Sequence, residues 1–169
     1  LISDAGTPLL SDPGNILINQ CISKKITIVP IPGVSSITTA LSVSGFSDKF
    51  LFYGFLPKTE NEINKVLKAL SMSQFTQVFF IPAIKANFYL KKFKEFFPSR
   101  KLLIAKEMTK IHESFYRENL KNLNSFKTKL KGELTVIISN IEKRSVLKEN
   151  NVDKKHLKLK IKKYLKRYS

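Results

Sequence analysis

Two glycines and two prolines fall within twelve residues near the start of this 169-residue chain, in the run Ser3-Asp4-Ala5-Gly6-Thr7-Pro8-Leu9-Leu10-Ser11-Asp12-Pro13-Gly14. Such a density confines the backbone to tight turns, because proline fixes φ and lacks an amide donor while glycine enters left-handed turns at no steric cost. Leu1-Ile2, just ahead, read as the last residues of a buried strand, so the constraint falls on a strand-to-helix connection. Gly6 would let the backbone approach a ligand without a Cβ, Pro8 stiffens the exit, and Asp4 and Thr7 supply an acceptor and a hydroxyl. No lysine follows the glycines and their spacing is not G-x-G-x-x-G, which excludes a phosphate-cradling loop and a dinucleotide fingerprint. By itself the run also describes a tight structural connection with no ligand.

The rest of the chain divides by composition into three pieces: 1–49, 50–141 and 142–169. In the first, Ile16, Leu17, Cys21 and Ile22 suit one face of a helix between Asn15 and Ser23, and the β-branched run Ile26 to Val29 predicts a strand. Pro30-Ile31-Pro32-Gly33 ends that run, and Ser35 or Ser36 can cap a helix through Leu41. Strand, helix, strand, helix is the α/β pattern, with ligand loops at strand ends. In the second piece, strands are expected at Phe50 to Phe55, Gln77 to Ile81, Lys101 to Lys106, Ser114 to Tyr116 and Glu133 to Ser139. Thr59 and Glu62 form a capping box for a helix carrying Ile63, Val66, Leu67 and Leu70. Further helices are expected at Ala86 to Phe97, with Phe88, Leu90 and Phe93 inward, and at Leu120 to Leu130.

Composition bears mainly on partners. A hydrophobic content of 43% supports a real core in one ordinary domain or two small ones. No stretch reaches the roughly 18 to 20 apolar residues of a membrane span. Cys21 alone cannot form an intrachain disulfide, and with two scattered histidines there is no metal-ligand pattern. These features fit a protein of the reducing cytoplasm, with no membrane partner. The net charge of +17 suits a polyanion, although 26 lysines against four arginines, with abundant Ile and Asn, equally reflect an AT-rich coding sequence. Residues 142–169 hold eleven Lys/Arg against three acids, with Leu157, Ile161, Tyr164, Leu165 and Tyr168 on one helical stripe. A solvated helix docked by its stripe, an RNA-backbone contact and a membrane-surface helix all fit that tail.

Five segments in order, SDAGTPLLSDPG, PIPGVSS, YGFLPK, KEMTKIHESFYRENL and KGEL, spread across Leu1 to Ser139, resemble the ribosomal RNA small subunit methyltransferase I family. That family belongs to the tetrapyrrole (corrin/porphyrin) methylase superfamily. The resemblance implies a two-domain α/β fold: 1–49 as the remainder of an N-terminal cofactor-binding domain, 50–141 as a C-terminal domain, and a basic tail. It implies S-adenosylmethionine in the cleft between domains and methyl transfer to the ribose 2′-hydroxyl of a cytidine in small-subunit (16S) ribosomal RNA. The free RNA or the 30S particle would then be the partner, and a homodimer is expected. Asp4, Ala5, Gly6, Thr7 and Pro8 would line the cofactor, with Gly33, Ser35 and Ser36 of the Pro-Gly-x-Ser loop, and with Phe80 and Ile81 at a strand end. Helix capping and ordinary packing account for the last two groups equally well.

A 2′-hydroxyl is a poor nucleophile at neutral pH, so a base or a charge that stabilises the alkoxide is expected, with Asp4, Glu107 and Lys110 as candidates. Glu107 and Lys110 also read as a plain surface pair, His112 as a structural histidine, and Glu133 as the opening of the last strand. Lys85, with Lys158, Lys160, Lys162 and Lys163 of the tail, would meet RNA. Two departures from the family pattern stand out. Its Glu-Ser-x-His-Arg run is here Ile81-Pro82-Ala83-Ile84-Lys85, keeping only the basic end. Its first strands, with their own cofactor loop, would lie ahead of Leu1, so the stretch is expected to be a fragment of a longer product. A small-tetrapyrrole methylase and a non-catalytic RNA-binding remnant are the alternatives.

Overall fold

The computed structural model describes residues 1–3, 6–128 and 130–141; Asp4, Ala5, and the tail with Lys158, Lys160, Lys162 and Lys163 lie outside the described residues. The elements in order are α1 (Asn15–Ser23), α2 (Ser36–Ser42), β1 (Phe50–Phe55), α3 (Glu60–Ser71), β2 (Thr76–Pro82), α4 (Ala86–Phe96), β3 (Lys101–Lys106), β4 (Ser114–Asn119) and β5 (Glu133–Ile138). The five strands make one sheet in the order β1-β2-β5-β3-β4. β1 and β2 run parallel, and the other pairs are antiparallel.

Local chemistry explains the helix that starts most sharply. The Thr59 hydroxyl accepts from the Glu62 amide at 3.4 Å and donates to the Glu62 carboxylate at 2.6 Å, closing the first turn of α3. Ile63 and Leu67 then point one way and are buried against the sheet with Leu90 and Phe93 of α4. Lys92 of α4 reaches Glu60 at 2.6 Å, clasping the two helices at their solvent edge.

Strand alternation sorts the sheet into two cores. Phe79, Ile81, Leu134, Val136, Ile138, Leu102 and Ile104 face α3 and α4. Val78, Ile137, Leu103 and Ala105 face the other way, where Ile37 and Ala40 of α2 cover them. Arg100, only 4% exposed, ties the sheet's lower edge: its guanidinium donates to the carbonyls of Ser71 (2.8 Å), Ser73 (2.7 Å) and Ser139 (3.3 Å), and it lies 5.0 Å from the Phe97 ring centre. Burial, with no carboxylate partner among the described residues, pushes its pKa down.

Four sequence expectations change. Leu1-Ile2 and Ile26 to Val29 are not strands; Ile2 is 93% exposed, and among the described residues no strand lies beside either run to complete a ladder. Leu120 to Leu130 is not a helix but a single 3₁₀ turn, Leu120–Asn122, followed by irregular chain. Side chains of α4 take the backbone groups a helix would use: Asn87 both donates to the Phe126 carbonyl and accepts from its amide, and Lys94 donates to the Leu123 carbonyl. Phe88 faces outward, because Tyr89 takes the inward place with Leu90 and Phe93.

Candidate functional site

On the second sheet face, beside the first turn of α2, a cleft of about 460 Å³ opens. That volume lies within the range of small-molecule sites. Its floor is the sheet: Phe80 of β2, Thr135 of β5 and Ala105 of β3 are directly opposed neighbours. Phe55 of β1 continues the row, with its ring 5.5 Å from that of Phe80. One wall is the glycine-rich bend, contributing Gly6, Thr7 and Ser11, and the α2 entry contributes Ser35 and Ser36. The opposite wall is the loop after β3, with Glu107, Met108, Thr109 and Lys110.

The walls are built locally. Gly6 has φ +73°, which an L side chain adopts only with strain, so the bend depends on glycine there. The Thr7 hydroxyl donates to the Val34 carbonyl at 3.4 Å, joining the bend to the Pro-Gly-Val-Ser loop. Gly54, φ +80°, sits in a bulge of β1, and a Cβ there would come within 3.1 Å of the Ser11 hydroxyl, so its bareness lets the bend lie on the sheet. Across the cleft the Thr109 amide donates to the Glu113 carboxylate at 2.7 Å, and the Lys110 amide to the Glu107 carbonyl at 3.0 Å. Ser11, Glu107 and Thr109 all adopt positive φ (67°, 49° and 66°) without being glycine. Each such residue costs on the order of 1 kcal/mol, and strain of this kind concentrates where geometry serves a site.

Of the residues singled out in the sequence, Gly6, Thr7, Ser35, Ser36, Phe80, Glu107 and Lys110 converge on this cleft. Pro8 and Gly33 adjoin it in sequence but do not line it. Ile81 is fully buried on the opposite face, beneath α3 and α4, since neighbours along a strand point to opposite sides. Lys85 is exposed in the 3₁₀ turn Ala83–Lys85, away from the lining. The Glu107 carboxylate is half-buried, 3.4 Å from the ammonium of Lys106. Thr135 and Ala105 are floor residues that sequence reasoning missed. The signal was a lone hydroxyl in the otherwise apolar run Leu134 to Ile138. A second hollow, about 700 Å³, lies at the other end of the sheet around Lys101, Arg117 and Ser139 and contains none of the expected site residues. Among the described residues there is no cluster suited to a metal ion, and no helix is long and apolar enough to cross a membrane.

Comparison with known proteins bears on the family and the fold. The profile of the family described as Tetrapyrrole (Corrin/Porphyrin) Methylases matches residues 1–124. Ribosomal RNA small subunit methyltransferase I of Thermotoga maritima is 39% identical over 145 residues, covering 84% of this chain and 65% of that protein. The protein of the same name from Rickettsia prowazekii is 39% identical over 151 residues, covering 82% and 51%. This chain thus spans between half and two-thirds of the length of these relatives. Among solved structures, the methyltransferase CobJ superposes with a TM-score of 0.60 at 17% identity over 80% of this chain and 62% of its own. Uroporphyrin-III C-methyl transferase from Thermus thermophilus, complexed with S-adenosyl homocysteine, gives 0.53 at 15% identity over 79% and 62%. At those identities the likeness is one of fold.

Proposed function

The chain belongs to the tetrapyrrole (corrin/porphyrin) methylase family, and from that premise we propose that it contributes the cofactor cleft of an S-adenosylmethionine-dependent methyltransferase acting on small-subunit ribosomal RNA. The finer reading is methylation of a cytidine ribose 2′-oxygen in 16S RNA, free or in the 30S particle, by a cytoplasmic homodimer. The three-part division at 1–49, 50–141 and 142–169 goes with it. One observation carries this reading: two separate glycine-bearing loops and a strand end, remote in sequence, meet around one cleft with Glu107 and Lys110 on its far wall.

The cleft suits an adenosyl donor in kind. Phe55, Phe80 and Ala105 offer apolar surface for a ring, while Thr7, Ser35 and Ser36 offer hydroxyls at the rim. When bound, the donor would supply an electrophilic methyl on a sulfonium, to be passed to the acceptor oxygen with S-adenosylhomocysteine as the leaving group. The protein's part is to hold the acceptor oxygen in line and keep water out. Glu107 is the group in place to take the hydroxyl proton or orient it, and Lys110 to offset charge developing on the oxygen. Asp4 belongs to the same proposal by its place in the sequence, two residues ahead of Gly6.

Calorimetry with S-adenosylhomocysteine on the full gene product tests the cleft, and labelled methyl incorporation into undermethylated 30S particles tests the substrate. Saturable binding and label recovered on a cytidine ribose are expected. Label passing instead to a tetrapyrrole overturns the RNA assignment. Absence of cofactor binding overturns the enzymatic reading and leaves RNA binding alone, in keeping with the altered Ile81-to-Lys85 run.

A further inference from the structure

The hairpin loop that joins β3 to β4 carries two of the proposed site residues, Glu107 and Lys110, and its backbone is strained. Lys106 and Ser114 are the last paired residues of the two strands, so the loop is 107–113. Glu107 and Thr109 both adopt left-handed φ, 49° and 66°, although neither is glycine. Such a conformation is unfavourable for an L side chain and persists only where the surroundings impose it. The Lys110 amide donates to the Glu107 carbonyl at 3.0 Å, and the Glu113 amide donates to the Lys110 carbonyl at 3.1 Å. The Thr109 amide donates to the Glu113 carboxylate at 2.7 Å. Two successive turns, 107–110 and 110–113, are thus tied together by one side chain, that of Glu113.

The two site residues are held differently. Glu107 directly follows β3, its carboxylate meets the Lys106 ammonium at 3.4 Å, and the next side chain, Met108, packs against the second core. Lys110 lies past both anchors. The side chains of Lys110, Ile111 and His112 have no hydrogen bond, ion pair or ring contact among the described residues, and Ile111 is 96% exposed. The place of Lys110 therefore depends on the two turns and on the carboxylate that ties them. Glu113 suits that task, because the next residue, Ser114, is fixed in the sheet by its pairing with Lys106. An amide bond to a carboxylate is also among the stronger polar contacts. Glu113 does not itself line the cleft.

We infer that Glu113 is a positioning residue: by accepting the Thr109 amide it holds the hairpin loop in its left-handed form and so keeps Lys110 at the wall of the cleft. The inference rests on the proposed methyltransferase reading, in which Lys110 offsets charge developing on the acceptor oxygen, and deepens it by tying a residue outside the cleft to the chemistry within. A charge fixed in advance stabilises a transition state more than a ground state, because it need not reorganise as the reaction proceeds. Loss of the Glu113 bond therefore falls on turnover and not on cofactor affinity.

The test uses the full gene product as wild type, K110A, E113A, E113Q and the double variant K110A/E113A, with folding checked by thermal melting. Methyl transfer to undermethylated 30S particles gives kcat and KM, and calorimetry gives the affinity for S-adenosylhomocysteine. K110A is expected to lower kcat about a hundredfold and E113A about tenfold, with S-adenosylhomocysteine affinity in E113A within about twofold of wild type. E113Q, whose amide oxygen accepts the same bond, is expected to recover most of the loss. Once Lys110 is gone its placement no longer matters, so adding E113A to K110A is expected to lower kcat less than about twofold further. Should alanine unsettle the fold, E113M repeats the measurement with a side chain of similar length and no carboxylate. Unchanged kcat in E113A or E113M overturns the inference, as does E113Q no better than alanine, or a further loss of about tenfold in the double variant. Wild type that transfers no methyl group to the particles, or K110A with full activity, overturns the proposed reading of the site and this inference with it. That result is distinct from an active, Lys110-dependent enzyme that ignores position 113.

Discussion

Residues 50–138 and residues 1–49 both carry motifs of the family pattern but are stabilised in different ways. The sheet region buries Phe79, Phe93, Phe97 and a run of aliphatic side chains almost completely between its strands and α3 and α4. The first region contributes only Ile37, Ala40 and Ser44 to the buried set, and no described residue among the first 34 is buried. Helix α1 has no buried side chain, and Ile16 on it is 78% exposed. The bend that walls the cleft is held by a few polar contacts and by backbone geometry, as in the Thr7 bond to Val34 and the positive φ of Gly6. One region is thus fixed by burial, and the other is laid upon it at a small number of points. Ligand loops on a rigid sheet are commonly built this way, because a wall that must admit a ligand cannot be fully packed.

The strongest challenge to that contrast is a pair of truncations to alanine. Phe93 is fully buried and packs against the rings of Phe79, Tyr89 and Phe97, so F93A is expected to cost about 3–5 kcal/mol through lost transfer energy and the cavity left behind. I16A, removing an equally apolar side chain from α1, is expected to stay within about 0.5 kcal/mol. Denaturant unfolding followed by circular dichroism measures both. Similar costs would show that α1 is packed in solution and that the two regions share one core.

The same contrast governs what the sequence disclosed. Where an element packs into the sheet and its core, pattern was enough: the Thr59–Glu62 box and the Ile63–Leu67 stripe locate α3, apolar runs locate four of the strands, and Ser114 to Tyr116 marks only the first half of β4. Ile26 to Val29 has the composition of a strand, but composition supplies no hydrogen-bonding neighbour, and no strand forms. Leu120 to Leu130 failed for the opposite reason, since Asn87 and Lys94, distant in sequence, capture its backbone groups. At the site, the loop residues were legible because glycine, proline and hydroxyls signal turns. The floor was not: Thr135 and Ala105 matter only through the pairing of β5 with β2 and β3, and that register cannot be read along one strand.

A middle-sized effect sharpens the sheet side of the comparison. Thr59 supplies both hydrogen bonds of the α3 cap, and T59A removes them while leaving the buried stripe intact. The expected cost is about 1 kcal/mol, read from the shift of the denaturant midpoint at unchanged slope. T59S, which keeps the oxygen, should recover most of it. A loss as large as that of F93A would mean that α3 owes its place to its start and not to Ile63 and Leu67.

The smallest expected effect lies in the clasp between α3 and α4. The hydrogen bond from Lys92 holds the Glu60 carboxyl below its ordinary pKa of 4.5, and the same bond, opposed by partial burial, holds the Lys92 ammonium above 10.5. A lowered carboxylate pKa gives stability that is present above the unfolded value and lost as pH falls through the folded one. A raised ammonium pKa gives stability that is present below the unfolded value and lost as pH rises through the folded one. The clasp therefore acts at constant strength between those limits and fails outside them. Melting temperatures of wild type and E60Q should differ by a small, constant amount from about pH 5 to 10 and converge in acid as Glu60 is protonated, with added salt narrowing the gap at every pH. Absence of a gap at every pH would show that Lys92 is held by Glu95, 3.7 Å away, instead.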